Sequence, residues 1–243
     1  MFSAINRIRL KHDLPILKKN EVLGKAAKSH AIDIITRNFF DHCNPDGKCP
    51  RERISALGIP YPVSENLGVL SSYGLTMEEV VEELLKSLMD SPEHRANILN
   101  PDITDMGISF VQDKNQVTDF IKLEKFGPSH IGYGTVVVCQ EFMKRGLTRY
   151  EPLPFPREFK RGSSITINAE TYKDFDTVVI ELVDRNGGSK LKSSEQAIFE
   201  RNFSENMNFI RSGQFDLKIS GRNYDDQNNT TSEELVTFEV NVN

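Results

Sequence analysis

The sequence predicts an α+β chain: an α-β-α sandwich over residues 1–150, then a small all-β, sandwich-like domain over 157–243. Three observations carry this. Apolar residues recur at helical spacing through the first hundred residues. The next segment switches to β-branched and aromatic runs separated by turn residues. Beyond Pro152, Pro154 and Pro156, an extended 151–156 linker, only short alternating runs separated by Asn/Asp/Gly clusters remain. Helices first and an antiparallel sheet later place helices on both sides of a central sheet. The second region is immunoglobulin-like only in the loose sense, because it has no cysteine–tryptophan core. A chain of 243 residues accommodates one large domain or two ordinary ones.

The elements follow in order. Residues 3–12 read as a short helix. Asn20 caps a longer one in which Leu23, Ala26, Ala27, His30, Ala31, Ile34 and Ile35 form a stripe, so His30 reads as a core or flank histidine. Residues 50–57 form a helix entered at Pro50 and closed by Gly58. Thr76-Met77-Glu78-Glu79 is a capping box that opens a helix through about Leu88, with Glu82 and Glu83 on a solvated face. Ser91 is the N-cap of the last helix, Pro92 its first position, and it ends near Asn100-Pro101. Strands are predicted over 106–112, 116–125 and 133–142, with a hairpin turn at 113–115. The second region adds strands at 163–170, 177–184, 196–203, 213–220 and 235–242.

Residues 1–150 carry 19 cationic and 19 anionic side chains, so the whole net charge of −5 lies beyond them. No basic face emerges, which argues against a nucleic-acid partner. Lys18-Lys19 and Lys144-Arg145 read as solvated surface. No apolar run is long enough for a transmembrane segment. No export leader precedes the first helix, so an extracellular or cell-envelope location assumes a signal outside this sequence. Cys43 and Cys49 flank the turn formers Asn44-Pro45-Asp46-Gly47-Lys48. They form either a local disulfide, as expected of an exported protein, or two reduced surface thiols. Cys139 reads as a buried strand residue without a disulfide partner.

The most informative stretch is Ser91-Pro92-Glu93-His94-Arg95-Ala96-Asn97-Ile98-Leu99. It sets His94 in a helix's first turn, where the dipole disfavours imidazolium and keeps a ring available to a metal or proton. Two segments accompany it: Asn38-Phe39-Phe40-Asp41-His42 at a helix end, and Ser64-Glu65-Asn66-Leu67-Gly68, which reads as turn-rich. With these three in order, the chain resembles the CAP superfamily (cysteine-rich secretory, antigen 5 and pathogenesis-related 1 proteins), nearest its short bacterial branch. Asn6, Arg9, Leu14 to Leu17, Asp46-Gly47, Arg53-Ile54, Gly58, Gly107-Ile108 and Gln140-Glu141-Phe142 extend the resemblance over roughly the first 145 residues.

The resemblance implies the α-β-α sandwich and a cavity in which His42, Glu65 and His94 hold zinc or another divalent cation, with Asn66 and Ser91 beside them. Two imidazoles and a carboxylate also suit catalytic zinc. The chain departs from the family twice. It has no tryptophan, Leu88 standing at the usual position, and Leu88-Met89-Asp90-Ser91 lacks the second glutamate of many eukaryotic members. Three functions stand open: a non-catalytic binding module for a lipid, peptide or cell-envelope component; a metal-dependent, peptidase-like hydrolase; and an adhesin acting through the β domain. The plain alternative is that both histidines only tie loops to the sheet. No His-Glu-x-x-His, Gly-x-Ser-x-Gly, EF-hand spacing or phosphate-cradling glycine loop is present.

Overall fold

A computed structural model of the chain describes residues 1–72, 74–113, 134–152, 155–198, 200–225, 227 and 229–243. It divides into two compact units, Met1–Ile59 with Val63–Lys144, and Pro60–Pro62 with Arg145–Asn243. Among the described residues, no helix is long and apolar enough to cross a membrane.

The first unit contains α1 (Phe2–Lys11), α2 (Glu21–Arg37), α3 (Pro50–Ser55), α4 (Met77–Asp90) and α5 (Pro92–Ile98). Its strands are β1 (Lys18–Lys19), β2 (Val63–Ser71), β3 (Asp105–Asp113) and β4 (Thr135–Met143). They form one sheet in the order β1-β3-β4-β2, antiparallel except for β1 against β3. The interior strand β4 is buried along its whole length, and alternation sends its side chains to two cores. Val136, Val138 and Phe142 pack with Ile5, Val80, Leu84, Leu88 and Ile98 of α1, α4 and α5. Val137 and Cys139 pack with Ala27, Ala31 and Ile34 of α2. Helices therefore cover both faces, as the sequence predicts.

Local signals start the helices where expected. Asn20 Oδ1 accepts from the N–H groups of Val22 (3.0 Å) and Leu23 (3.2 Å), and Thr76 with Glu79 forms the reciprocal capping box. Gly107 shows how closely α2 lies on the sheet: a Cβ there would meet Gly24 N and Leu23 C at 2.2 Å. Cys43 and Cys49 are joined in a disulfide, which settles the two readings left open by the sequence. The predicted strand 116–125 lies outside the described residues, as does most of the turn at 113–115. One expectation is corrected: Ser64-Glu65-Asn66-Leu67-Gly68 is not a turn but part of β2, paired residue for residue with β4. Its polar side chains and glycine hide the strand until that long-range pairing exists.

The second unit is all β: β5 (Leu147–Glu151), β6 (Glu158–Phe159), β7 (Ser164–Thr171), β8 (Thr177–Asp184), β9 (Lys190–Ala197), β10 (Asn202–Asn208), β11 (Gly213–Tyr224) and β12 (Thr230–Val242). One sheet runs β10-β7-β5 and the other β6-β12-β11-β8-β9. Tyr150 of β5 meets Phe238 of β12 edge to face at 5.2 Å between ring centres, so the two sheets touch. The predicted strand 196–203 is corrected. It spans the turn between β9 and β10, where Glu200 and Arg201 take φ of 47° and 66°. Strand β9 escapes sequence reading because it is a polar edge strand, Lys-Leu-Lys-Ser-Ser-Glu-Gln-Ala.

Candidate functional site

Strand β2 lies at the sheet edge, and its neighbouring residues Glu65 and Asn66 project to opposite faces. Glu65 is directly paired with Glu141 on the α2 side, and Asn66 with Gln140 on the α4–α5 side. The site straddles this edge. His42 approaches on the first side and α5 brings His94 on the second.

The Glu65 carboxylate is fully engaged. His42 Nδ1 lies 2.8 Å from Oε1, Arg53 donates to Oε2 at 2.5 Å, and the Cys139 thiol lies 3.3 Å from the same oxygen. Arg53 also donates to the carbonyls of His42 (2.6 Å) and Lys48 (3.0 Å), and reaches Glu141 Oε1 at 3.4 Å. Two directly paired, buried carboxylates cannot both ionise cheaply. Burial opposes the charged form of Glu65. Hydrogen bonds from His42 and Glu141 and the charge of Arg53 outweigh it and hold the carboxyl below its ordinary value. Burial, then the charge of Glu65, pushes Glu141 well above the carboxylate range, so Glu141 keeps its proton. Burial and the same carboxylates hold the Cys139 thiol protonated.

The two histidines differ in kind. The hydrogen bond to Glu65 raises His42, and its side chain is 51% exposed. Because Nδ1 is committed to Glu65, Nε2 remains without a protein partner among the described residues. A carboxylate behind the far nitrogen is how proteins orient an imidazole for a metal. His94 is the third residue of α5, and burial first, then the charge of His42, lowers it and keeps the ring neutral.

Asn66 ties α5 to the sheet. It donates to His94 O (3.0 Å) and Gln140 Oε1 (3.1 Å), and its Oδ1 accepts from Asn97 at 2.8 Å. Ser91 ends α4 and occupies the N-cap position of α5, where its side chain makes no capping bond. His30 is buried, with Nε2 3.1 Å from Asp41 O and 3.8 Å from Glu65 Oε1. Sequence reasoning did not foresee the roles of Arg53, Glu141 and Asn97. Glu141 did carry a signal, a carboxylate in the mostly apolar run of β4.

Among the described residues, one group of three potential ligands has its donor atoms within 4.8 Å of one another: Glu65, Cys139 and Glu141. Such a trio can hold a cation, yet here Arg53 already supplies the positive charge and two of the three groups keep their protons. The imidazole donors outside this trio are His42 Nε2, with Glu65 behind the ring's far nitrogen, and the His94 ring.

A sequence profile for the cysteine-rich secretory protein family, CAP, matches residues 2–140. The uncharacterized protein YkwD of Bacillus subtilis (strain 168) is 33% identical over 108 residues, covering 44% of this chain and 39% of YkwD. The chain thus spans about two fifths of that relative's length. An outer surface protein from Borrelia burgdorferi superposes with a TM-score of 0.41 at 23% identity, over 59% of this chain and 88% of that one. An extracellular protein containing a SCP domain from Bacillus anthracis superposes with a TM-score of 0.42 at 21% identity, over 59% of this chain and 38% of its own. With the profile matching more than half of its length, the chain belongs to the CAP superfamily and is of the bacterial type.

Proposed function

We propose that this CAP-domain protein is an extracellular or cell-envelope binding module whose edge site takes zinc or another divalent cation through His42 and His94. The carrying observation is the 2.8 Å bond between His42 Nδ1 and an ionised, buried Glu65, which leaves Nε2 as the outward donor on a half-exposed ring. A bound cation would supply a Lewis-acidic centre at which an anionic or carbonyl group of a lipid, peptide or envelope component docks. Glu65 is spent on His42, Arg53 and Cys139, so it is poorly placed as a general base. This favours binding over the peptidase-like alternative.

Zinc titration by calorimetry on the full chain and on His42→Ala/His94→Ala tests the reading. Single-site binding that the double substitution abolishes supports it. No binding, or binding that survives in the variant, refutes it. A peptidase screen of the zinc-loaded protein then separates binding from hydrolysis, and residues 145–243, which keep β5 in its sheet, expressed alone test whether the β region binds by itself.

A further inference from the structure

Two dipeptides in the sequence set a side-chain carbonyl directly before a glycine: Asp46-Gly47 and Asn186-Gly187. This order carries a reaction of its own. Glycine has no Cβ, so its backbone nitrogen can reach the preceding side-chain carbonyl carbon and close a five-membered imide. Whether it does so depends on how firmly the two groups are held. The structure treats the two pairs oppositely. At Asp46-Gly47 both are tied: Gly47 N–H donates to Asn44 O at 2.8 Å, and Arg37 donates to Asp46 Oδ2 at 2.9 Å. The Cys43–Cys49 disulfide closes the loop around them.

At Asn186-Gly187, in the connection between β8 and β9, both groups are free. The two residues are exposed, and among the described residues neither the Asn186 carboxamide nor Gly187 N–H has a hydrogen-bond partner. Their neighbours hold the turn without them. Asn186 N–H donates to Asp184 Oδ1 and Gly188 N–H to Asp184 O, both at 2.8 Å, while Asp184 N–H donates to Ser189 O at 2.9 Å. Asn-Gly is the favoured pair of a two-residue hairpin turn with positive φ at both positions, yet here only Gly188 is left-handed, at 65°. Turn geometry therefore does not account for the pair. A Cβ on Gly187 would meet nothing within 4 Å, so the reacting groups also have room to move.

We propose that Asn186 is a site of spontaneous covalent modification, converted through a cyclic imide to aspartate and isoaspartate with water as co-reactant. Gly187 N gives up its proton and bonds to Asn186 Cγ. The Cγ–Nδ2 bond breaks, and the amide nitrogen leaves with a proton as ammonia. Water then opens the imide. Addition at Cγ restores the backbone and leaves aspartate. Addition at the Asn186 backbone carbonyl carbon leaves isoaspartate, whose chain runs through Cγ and is one methylene longer. Either product adds a negative charge beside Asp184, whose Oδ2 lies 3.6 Å from Arg211. Isoaspartate also lengthens the turn that Asp184 closes, which loosens the start of edge strand β9 where Lys190 pairs with Val183. The proposal is independent of the metal reading, since no step involves His42, Glu65 or His94.

The test is incubation of the folded full chain at neutral and at mildly alkaline pH, followed by peptide mapping with mass spectrometry. Isoaspartate is detected by methyl transfer from S-adenosylmethionine with an isoaspartyl methyltransferase. Asn186 is expected to convert at least tenfold faster than every other asparagine, and faster at the higher pH, because the attacking nitrogen must lose its proton. Asp46 should yield no isoaspartate while the disulfide is intact. Gly187→Ala hinders the attack at a position with space for a methyl group, so it should keep the wild-type circular dichroism and slow conversion at least tenfold. Asn186→Gln, which would have to close a six-membered ring, is the second comparison and should retain its amide. Amides of β9 should exchange hydrogen faster in the isoaspartate form, with those of the first unit unchanged. Retention of the Asn186 amide, earlier conversion of another asparagine, or isoaspartate forming as fast at Asp46 overturns the proposal. So does undiminished conversion in a folded Gly187→Ala.

Discussion

Replacing Arg53 with methionine probes the charge balance on which the edge site rests. One guanidinium holds Glu65 Oε2 at 2.5 Å, Glu141 Oε1 at 3.4 Å and the carbonyls of His42 and Lys48. Methionine keeps a long apolar stem and deletes the charge and donors. What remains is an ionised carboxylate whose side chain is 1% exposed, held by the His42 Nδ1 bond and the Cys139 thiol. Removing one partner of a buried ion pair costs roughly 3–5 kcal/mol. At about 2–4 °C per kcal/mol for a chain of this size, Tm should fall by roughly 10 °C. The loss depends on pH, and its sign is fixed. In the native protein the lowered Glu65 contributes stability above its ordinary value of 4.5, and this is lost as pH falls through the lower folded value. Without Arg53, burial dominates and raises Glu65, so the variant is penalised as pH climbs above 4.5. Urea unfolding followed by circular dichroism at pH 5 and pH 7 should show the smaller deficit at pH 5. Adding Glu65→Gln to Arg53→Met should recover much of the loss at pH 7, because it removes the uncompensated charge. A deficit below about 1 kcal/mol at pH 7, or one that grows toward pH 5, would show that Arg53 is not the counter-ion described.

Other consequences are directly measurable. In an NMR pH titration, His42 should titrate above the ordinary histidine value and His94 below it. Glu65→Gln should bring His42 down, because the bond that raises it is gone. Gly107→Ala should lose about 1–3 kcal/mol in thermal or urea unfolding, since its Cβ would collide with α2 backbone at 2.2 Å; a neutral result would mean that α2 moves freely off the sheet. Cys43→Ser/Cys49→Ser opens a loop of sequence separation 6 and should cost about 2 kcal/mol by loop entropy. A melting curve that superimposes on the wild type would count against that loop-closure contribution.

The features legible in the sequence are those decided within a few residues. Asn20 and Thr76 announce helix starts because the groups they cap lie two or three residues away. The stripe from Leu23 to Ile35 and the alternation in β7 and over Phe238 to Val242 of β12 mark buried faces for the same reason. His42, Glu65 and His94 were nameable because their surrounding motifs recur in order, and Cys43 with Cys49 because their separation is short.

Other features depend on partners far along the chain. Glu65 looks like a turn residue until β2 pairs with β4, more than seventy positions away, and that pairing sets it against Glu141. Once the two carboxylates share a buried face, one guanidinium reaches both, so Arg53 becomes the counter-ion of Glu65 and Glu141 keeps its proton. Asn66, next in sequence, turns to the opposite face and locks α5 instead. Local chemistry thus settles which side chains are available and where helices begin. Which carboxylate is ionised and which histidine nitrogen is left free follow only from long-range burial. Burial sets the electrostatic cost of each charge, and no local pattern encodes it.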